Sequence, residues 1–350
     1  MRQEKIYNNS SEANCFFRSA LVPPDLKIMI QVTERCNMQC KHCFLSATSE
    51  GYDISYSDFR NKIIQQLIYS NVKKVTLTGG EPLLHPFIID IIRALYSANI
   101  ETCLCTNGLL ITENLLRELS TLRVHFNISL DGVSEYSYIP FRKLDNNTRQ
   151  LDTILQNIML VGSYGMLNGI LTTPNKLIRK EEYLLICDFA IKSGAKYLLM
   201  NPLSPFGRGR SANNLALETD EMLAIQELLD NHMKNTHNNK SFELVYIRFP
   251  SRHHKKTASC PAGLIPYIFI NGDVAICPYL VFAAENNDNQ YSKSDFIIGN
   301  ILSNNFNLIN KINEYKELHS FCHYGSKENL GCAAMKISRN LSFDSFDILG

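Results

Sequence analysis

The sequence predicts an α/β fold: an open, partial barrel of six β/α units followed by a small, cysteine-rich C-terminal domain. Two observations predict it. Between residues 26 and 201, short β-branched or apolar runs alternate with amphipathic segments, and strands that alternate with helices pair in parallel through right-handed crossovers. Beyond a polar stretch, four further cysteines, Cys260, Cys277, Cys322 and Cys332, are spread through the rest of the chain.

Residues 26–32, 73–78, 100–105, 124–130, 167–173 and 196–201 read as strands, from their β-branched and apolar content. Residues 56–69, 86–97, 113–120, 146–164 and 181–192 place their apolar side chains at helical spacing. Six units are fewer than the eight that close a full barrel, and ligands of such barrels sit at the C-terminal strand ends. Residues 211–240 read as a polar linker containing a helix over 219–233. The expected organisation is an N-terminal extension (1–24), the barrel (25–215), a linker helix and strand (216–258) and the C-terminal domain (259–350).

At 350 residues, 45% hydrophobic and 20% charged, the chain can bury one large core and one small one. A net charge of +1 gives no case for bulk binding of nucleic acid or of an anionic membrane. Residues 1–13 lack the apolar segment of a signal peptide, and no later stretch approaches a membrane span, so the expected location is the cytoplasm. In such a compartment eleven cysteines point to metal ligands rather than disulfides, and an odd number cannot be fully paired. Cys15, Cys103, Cys105 and Cys187 sit singly in or near apolar stretches and read as small core hydrophobes.

The chemistry concentrates at the predicted strand ends. After the first strand comes Arg35-Cys36-Asn37-Met38-Gln39-Cys40-Lys41-His42-Cys43, three thiols in a Cys-x3-Cys-x2-Cys spacing. Three sulfurs on one loop hold three corners of an iron–sulfur cube and leave one iron without a protein ligand. Cys40 and Cys43 alone would also suit half a zinc site or a redox pair, but a zinc knuckle needs a fourth ligand nearby, and His42 reads as pointing away from the ring its neighbours form. Thr78-Gly79-Gly80-Glu81-Pro82 follows the second strand; its glycines let the backbone approach a ligand closely, and Glu81 adds charge. A plain glycine turn before a helix is the other reading of that segment. Thr106-Asn107-Gly108 closes the third strand, Ser129-Leu130-Asp131-Gly132 closes the fourth, and Arg142 lies eleven residues past Asp131.

With these motifs the chain resembles the radical S-adenosylmethionine (SAM) superfamily. The resemblance implies a [4Fe–4S] cluster on Cys36, Cys40 and Cys43, SAM bound to its open iron, and reductive cleavage of SAM to a 5′-deoxyadenosyl radical. It implies that Gly79, Gly80 and Glu81 meet the SAM amino group and that Asn107, Ser129 and Asp131 belong to the SAM pocket. Arg142 would meet the SAM carboxylate, which suits its bidentate fork, or else serve as a surface arginine at a helix start. No catalytic side chain is assigned beyond the cluster. Phe206-Gly207-Arg208-Gly209-Arg210, after Asn201-Pro202, resembles a segment of SAM enzymes that carry an added cysteine-rich domain.

In the C-terminal part, Asn271-Gly272 between alternating apolar segments is a hairpin signal that would bring Cys260 and Cys277 together. The Cys-x11-Gly-x4-Cys spacing resembles the opening of the SPASM and twitch domains, which hold auxiliary iron–sulfur clusters. A complete SPASM array would have cysteines in place of His319 and Glu328 and another after Cys332, so the resemblance implies a single auxiliary cluster on Cys260, Cys277, Cys322 and Cys332. Zinc on the same thiolates, or a domain that binds nothing, are the alternatives. The run Arg252-His253-His254-Lys255-Lys256 reads as a solvated loop.

The resemblance implies hydrogen abstraction from a ribosomally made peptide undergoing cross-linking, epimerisation or other maturation. Dehydrogenation of a small molecule, sugar-like, aminoglycoside-like or a cofactor precursor, is the second reading, and a non-catalytic iron–sulfur protein the third. An electron donor such as a flavodoxin or ferredoxin is implied as a partner. About 25 residues before the first strand are too few for a leader-binding domain, so a peptide would need a separate recognition protein or direct binding.

Overall fold

The computed structural model describes residues 25–142, 149–236, 242–249, 262–263, 265–285, 291–318 and 332–338. The N-terminal extension, Cys15, the basic run 252–256, Cys260, His319, Cys322 and Glu328 lie outside the described residues.

All six expected strands are present: β1 (Leu26–Thr33), β2 (Val72–Gly79), β3 (Glu101–Thr106), β4 (Val124–Ser129), β5 (Leu167–Thr172) and β6 (Tyr197–Met200). Each pairs in parallel with the next, in registers that include Ile28↔Val75, Leu77↔Leu104, Leu104↔Phe126 and Ile170↔Leu198. The outward side chains of these strands pack under helices whose buried residues recur at helical spacing. In Ile88–Ser97 these are Ile88, Ile91, Ile92 and Leu95. The segment 56–69 is helical throughout but contains one π turn, Phe59–Ile63, and buries Phe59, Ile63, Ile64 and Leu67. Two of the helix-to-strand turns pass through an asparagine in the left-handed region, Asn71 at φ 54° and Asn99 at φ 57°, a conformation that asparagine tolerates better than most residues.

The linker helix and strand extend this pattern. Helix Thr219–Thr236 leads into β7 (Glu243–Tyr246), which pairs in parallel with β6, for example Leu198↔Leu244, and so forms a seventh β/α unit. A helix not anticipated from the sequence, Glu135–Arg142, precedes residue 149; Pro140 inside it hides its helical pattern.

The hairpin at Asn271-Gly272 is formed by β8 (Tyr267–Ile268) and β9 (Asp273–Ala275), antiparallel to each other. Its place in the fold was not legible in sequence. β8 pairs in parallel with β1 through Met29↔Tyr267 and Ile30↔Ile268, and β10 (Ile297–Asn300) pairs with β9, giving one ten-stranded sheet in the order β10-β9-β8-β1-β2-β3-β4-β5-β6-β7. A second apolar cluster, including Phe206, Tyr267, Ile276, Leu280, Phe296 and Ala334, seats helices Pro278–Glu285 and Ala333–Ile337. The Gln66 amide clamps the far side: its Nε2 donates to Phe306 O at 2.8 Å, and its Oε1 accepts from Leu308 N at 3.1 Å. Among the described residues no helix is long and apolar enough to cross a membrane.

Candidate active site

The site lies at the C-terminal ends of the parallel strands. The loop after β1 doubles back through bridges Thr33↔Asp53 and Arg35↔Thr48. Arg35 fixes its base: Nη2 lies 2.6 Å from Asp53 Oδ2 and donates to Leu84 O at 2.8 Å. The end of β2 runs directly beneath, with Gly80 N donating to Thr33 O at 2.9 Å and Glu81 N to Arg35 O at 2.7 Å. A Cβ on Gly79 would lie 2.4 Å from Thr33 O and one on Gly80 2.1 Å from Arg35 O, so this close passage requires both glycines.

The far side of the loop is gripped by the segment after β6. Arg208 donates from Nε to Cys40 O at 2.8 Å, from Nη1 to Ala47 O at 2.7 Å and from its backbone N–H to Cys43 O at 2.9 Å. Gly207, at φ 53°, comes so near that a Cβ would lie 2.5 Å from both Cys43 O and Phe44 O. Cys40 is buried, Cys36 and Cys43 are half-buried. Burial pushes the Cys36 thiol up to about 12, against a backbone hydrogen bond at Met38 and with help from charge on Cys40, Glu81 and Cys43. Burial also raises Cys40, against the pull of Arg142. Cys36 and Cys40 thus stay protonated until a bound cation draws them into thiolates.

Glu81 is 1% exposed and ties two strand ends together. It accepts from Thr106 Oγ1 at 2.7 Å, Asn107 N at 2.8 Å and Leu83 N at 3.1 Å; burial nonetheless raises its pKa against these bonds. Asn107 passes the tie onward, its Nδ2 donating to Asn37 Oδ1 in the cysteine loop at 2.7 Å.

Asp131 and Arg142 form a buried ion pair, Nη2 to Oδ2 at 2.5 Å, and Arg142 Nη1 stands 3.6 Å from Cys40 Sγ. Asp131 Oδ1 accepts from Thr173 N at 2.5 Å; burial shifts its carboxyl up while Arg142 draws it down. Arg142 is therefore a buried residue in the last turn of its helix rather than a surface arginine at a helix start. Glu182 seats that helix, accepting from Val133 N, Ser134 N and Ser137 Oγ at 2.7, 2.9 and 2.6 Å, as an anion does at a helix N-terminus.

His42 turns into the barrel mouth. Its ring stacks on Phe141 with centroids 4.5 Å apart, and Nε2 lies 3.7 Å from Asp131 Oδ2. Burial, then the charges of Arg142 and Arg208, hold it well below the usual histidine range, so it is neutral. His42 Nδ1 and Arg142 Nε are buried without a hydrogen-bond partner. Both residues line a cavity of about 120 Å³, with Ser129, Thr173, Asn201 and Tyr279. Buried, unsatisfied polar atoms around a cavity at the strand ends mark a place that a polar ligand completes.

Tyr279 belongs to the C-terminal segment, and Arg248 anchors it there. At φ 56°, Arg248 donates to Asn201 Oδ1, Pro202 O and Ser204 Oγ while lying 5.8 Å from the centre of the Tyr279 ring. Cys277, buried, and Cys332, half-buried, border the same apolar cluster, and Gly263 N donates to Ile276 O at 3.0 Å. Sequence reasoning missed His42, Arg208, Glu182, Arg248 and Tyr279 as site residues. The Gly-Arg-Gly run was a usable signal for Arg208; the others act through contacts between distant segments.

A parallel partial barrel whose mouth carries three thiols, a buried ion pair and a polar cavity defines a barrel enzyme with a thiol-bearing active loop. Residues 30–179 match the family described as the Radical SAM superfamily, so this part of the chain carries a radical SAM domain. It is 26% identical over 247 residues to the antilisterial bacteriocin subtilosin biosynthesis protein AlbA of Bacillus subtilis, 69% of this chain and 52% of that one. It is 29% identical over 206 residues to GTP 3′,8-cyclase of Aliarcobacter butzleri, 57% of this chain and 61% of that one. The chain thus spans less than two thirds of either relative. The crystal structure of Streptococcus suis SuiB bound to precursor peptide SuiA shares the fold, with a TM-score of 0.67 at 17% identity over 92% of this chain and 72% of that one.

Proposed function

We propose that the chain is a peptide-modifying radical SAM enzyme, with Cys36, Cys40 and Cys43 holding the [4Fe–4S] cluster and the adjoining cavity taking part of SAM. The observation that carries this reading is the pairing of three thiols on one loop with unsatisfied His42 Nδ1 and Arg142 Nε at the same barrel mouth. When bound, the cluster supplies the electron that cleaves SAM and so the radical that removes hydrogen from a substrate. The chain's own residues do the rest. Arg142, fixed by Asp131, offers its free Nε to a carboxylate; Ser129 and Asp131 stand at the end of β4 beside it. Gly79 and Gly80 let β2 approach the loop, and Glu81 with Asn107 keeps the strand ends in register beneath it. Tyr279 covers the cavity and excludes water from a site whose chemistry tolerates none.

A peptide substrate is supported by SuiB, whose structure contains a precursor peptide, and by AlbA, whose name ties it to bacteriocin biosynthesis. The cyclase relatives favour a small-molecule substrate as the second reading. Cys277 and Cys332 sharing one cluster of side chains supports an auxiliary iron–sulfur cluster, completed by Cys260 and Cys322. A cytoplasmic flavodoxin or ferredoxin would supply the electron. The test is anaerobic reconstitution with iron and sulfide, an iron count, and an assay for 5′-deoxyadenosine after SAM and dithionite. About eight irons with deoxyadenosine is the expected result; about four would remove the auxiliary cluster, and none would remove the reading.

A further inference from the structure

The geometry points to a second binding site, a groove between the cysteine loop and the C-terminal hairpin that docks an apolar peptide segment carrying lysine or arginine. It rests on the peptide reading above for the identity of its natural ligand. The groove encloses about 420 Å³, within the range of ligand sites. Residues 45–48, directly after Cys43, form one wall; Phe269 and Ile270 of the hairpin and Val281 and Phe282 of the following helix form the other.

Three features select the occupant. The first is charge: Glu34, Glu50, Asp273 and Glu285 line the groove against one ammonium, Lys293, which itself pairs with Glu285 at 3.6 Å. The bonds that Asp273 accepts from Asn271 and Asn300, and that Glu34 accepts from Tyr52 N, come from neutral donors and leave the negative charge in place. The second is aromatic: Phe269 and Phe282 meet edge to face with centroids 5.8 Å apart, and ring faces attract cations as well as apolar side chains. The third is Gln31, which lines the groove at only 4% exposure and has no hydrogen-bond partner among the described residues. Its amide is not sealed from the groove, and a peptide group there offers it both an acceptor and a donor. A polyamine has no acceptor for that amide and no use for the apolar walls.

The groove and the catalytic cavity are separated by one layer of rings. Phe44 and Tyr279 line the cavity, Phe282 lines the groove, and Phe44 contacts both, at 5.3 and 5.8 Å between centroids. A segment held in the groove therefore enters beside the mouth, which is what anchoring part of a long substrate requires.

Fluorescence anisotropy tests this on the full chain without SAM or reductant, using labelled Ac-Gly-Lys-Phe-Leu-Lys-Gly-NH2 and its counterpart with Glu for Lys. The cationic peptide should bind at least about tenfold more tightly at low salt, and the double variant Glu50→Lys with Glu285→Lys should erase that preference. Gln31→Leu should weaken both peptides, with a melting curve confirming the fold; if it does not fold, the exposed charge reversals still decide. Equal binding of the two peptides, no binding, or charge-reversed protein that binds like wild type would overturn the groove. Turnover separates this from the enzymatic reading: peptide binding with no modified peptide under reducing conditions would overturn peptide maturation and leave the groove standing.

Discussion

The cysteine loop and the C-terminal segment are both built onto the barrel mouth, yet they are held by different forces. The loop is fixed by short, directional polar links: Arg35 to Asp53 and Leu84, Arg208 to Cys40 and Ala47, Asn107 to Asn37. The C-terminal segment is tied to the barrel by the β8–β1 pairing and the Gln66 clamp. But its part that carries Tyr279 is held mainly by apolar burial around Tyr267, Leu280 and Phe296, with Arg248 against the Tyr279 ring. Hydrogen bonds fix angle as well as distance, whereas apolar contact fixes only proximity. A loop that must present three thiols in one geometry needs the first; a cover needs only the second.

The sharpest way to break that contrast is with the cysteines. On the proposed reading, Cys40→Ala abolishes deoxyadenosine formation, whereas Cys277→Ala lowers iron from about eight to about four per chain and leaves SAM cleavage intact. Iron counts and the deoxyadenosine assay on both variants decide it. Next in size is Asp131→Ala, which leaves Arg142 charged, buried and unpaired, an expected loss of about 3–5 kcal/mol in urea unfolding together with weaker SAM binding. Leu280→Ala should cost a comparable 2–5 kcal/mol, roughly, by opening a cavity in the apolar cluster, while the barrel thiols keep their iron. Arg208→Ala should cost less, about 2–3 kcal/mol, but release iron more readily, because it frees the carbonyls of Cys40 and Ala47.

The smallest effect is a pH dependence. His85 is 2% exposed, accepts from Phe87 N at Nδ1 and therefore donates from Nε2 to Ile54 O. Burial lowers its pKa below 6.5, so on acidification the unfolded chain takes up a proton that the folded chain refuses. Its contribution to stability is full above about 6.5 and is lost as pH falls below it. Melting temperatures between pH 5 and 8 should show this decline in wild type and a flatter profile in His85→Asn.

Much of this was legible in sequence because it is local. Alternating strands and helices carry their own periodicity, and the thiol spacing, Gly79-Gly80-Glu81 and the Asn271-Gly272 turn each declare themselves within a few residues. What was not legible depends on segments far apart in the chain. β8 has two residues and no period to read, and its partner β1 lies at the other end of the chain. Helix Glu135–Arg142 is masked by Pro140 and stabilised from outside by Glu182, so the sequence suggested Arg142 as a carboxylate contact but not the buried helix end that holds it. Arg248 follows an ordinary strand, and only the fold brings it to Asn201 and Tyr279.

The pairing of β1 with β8 also sets a schedule for synthesis. Strand β1 emerges from the ribosome about 240 residues before the strand that covers its outer edge. At roughly 5–20 residues per second, that edge, with the thiol loop attached to it, waits on the order of 10–50 s for its neighbour. For that interval the nascent chain carries an open strand edge of the kind that invites pairing with other chains. Production of this protein should therefore be sensitive to ribosome speed and chaperone supply, and slowing translation only in the second half of the gene should lower its soluble yield.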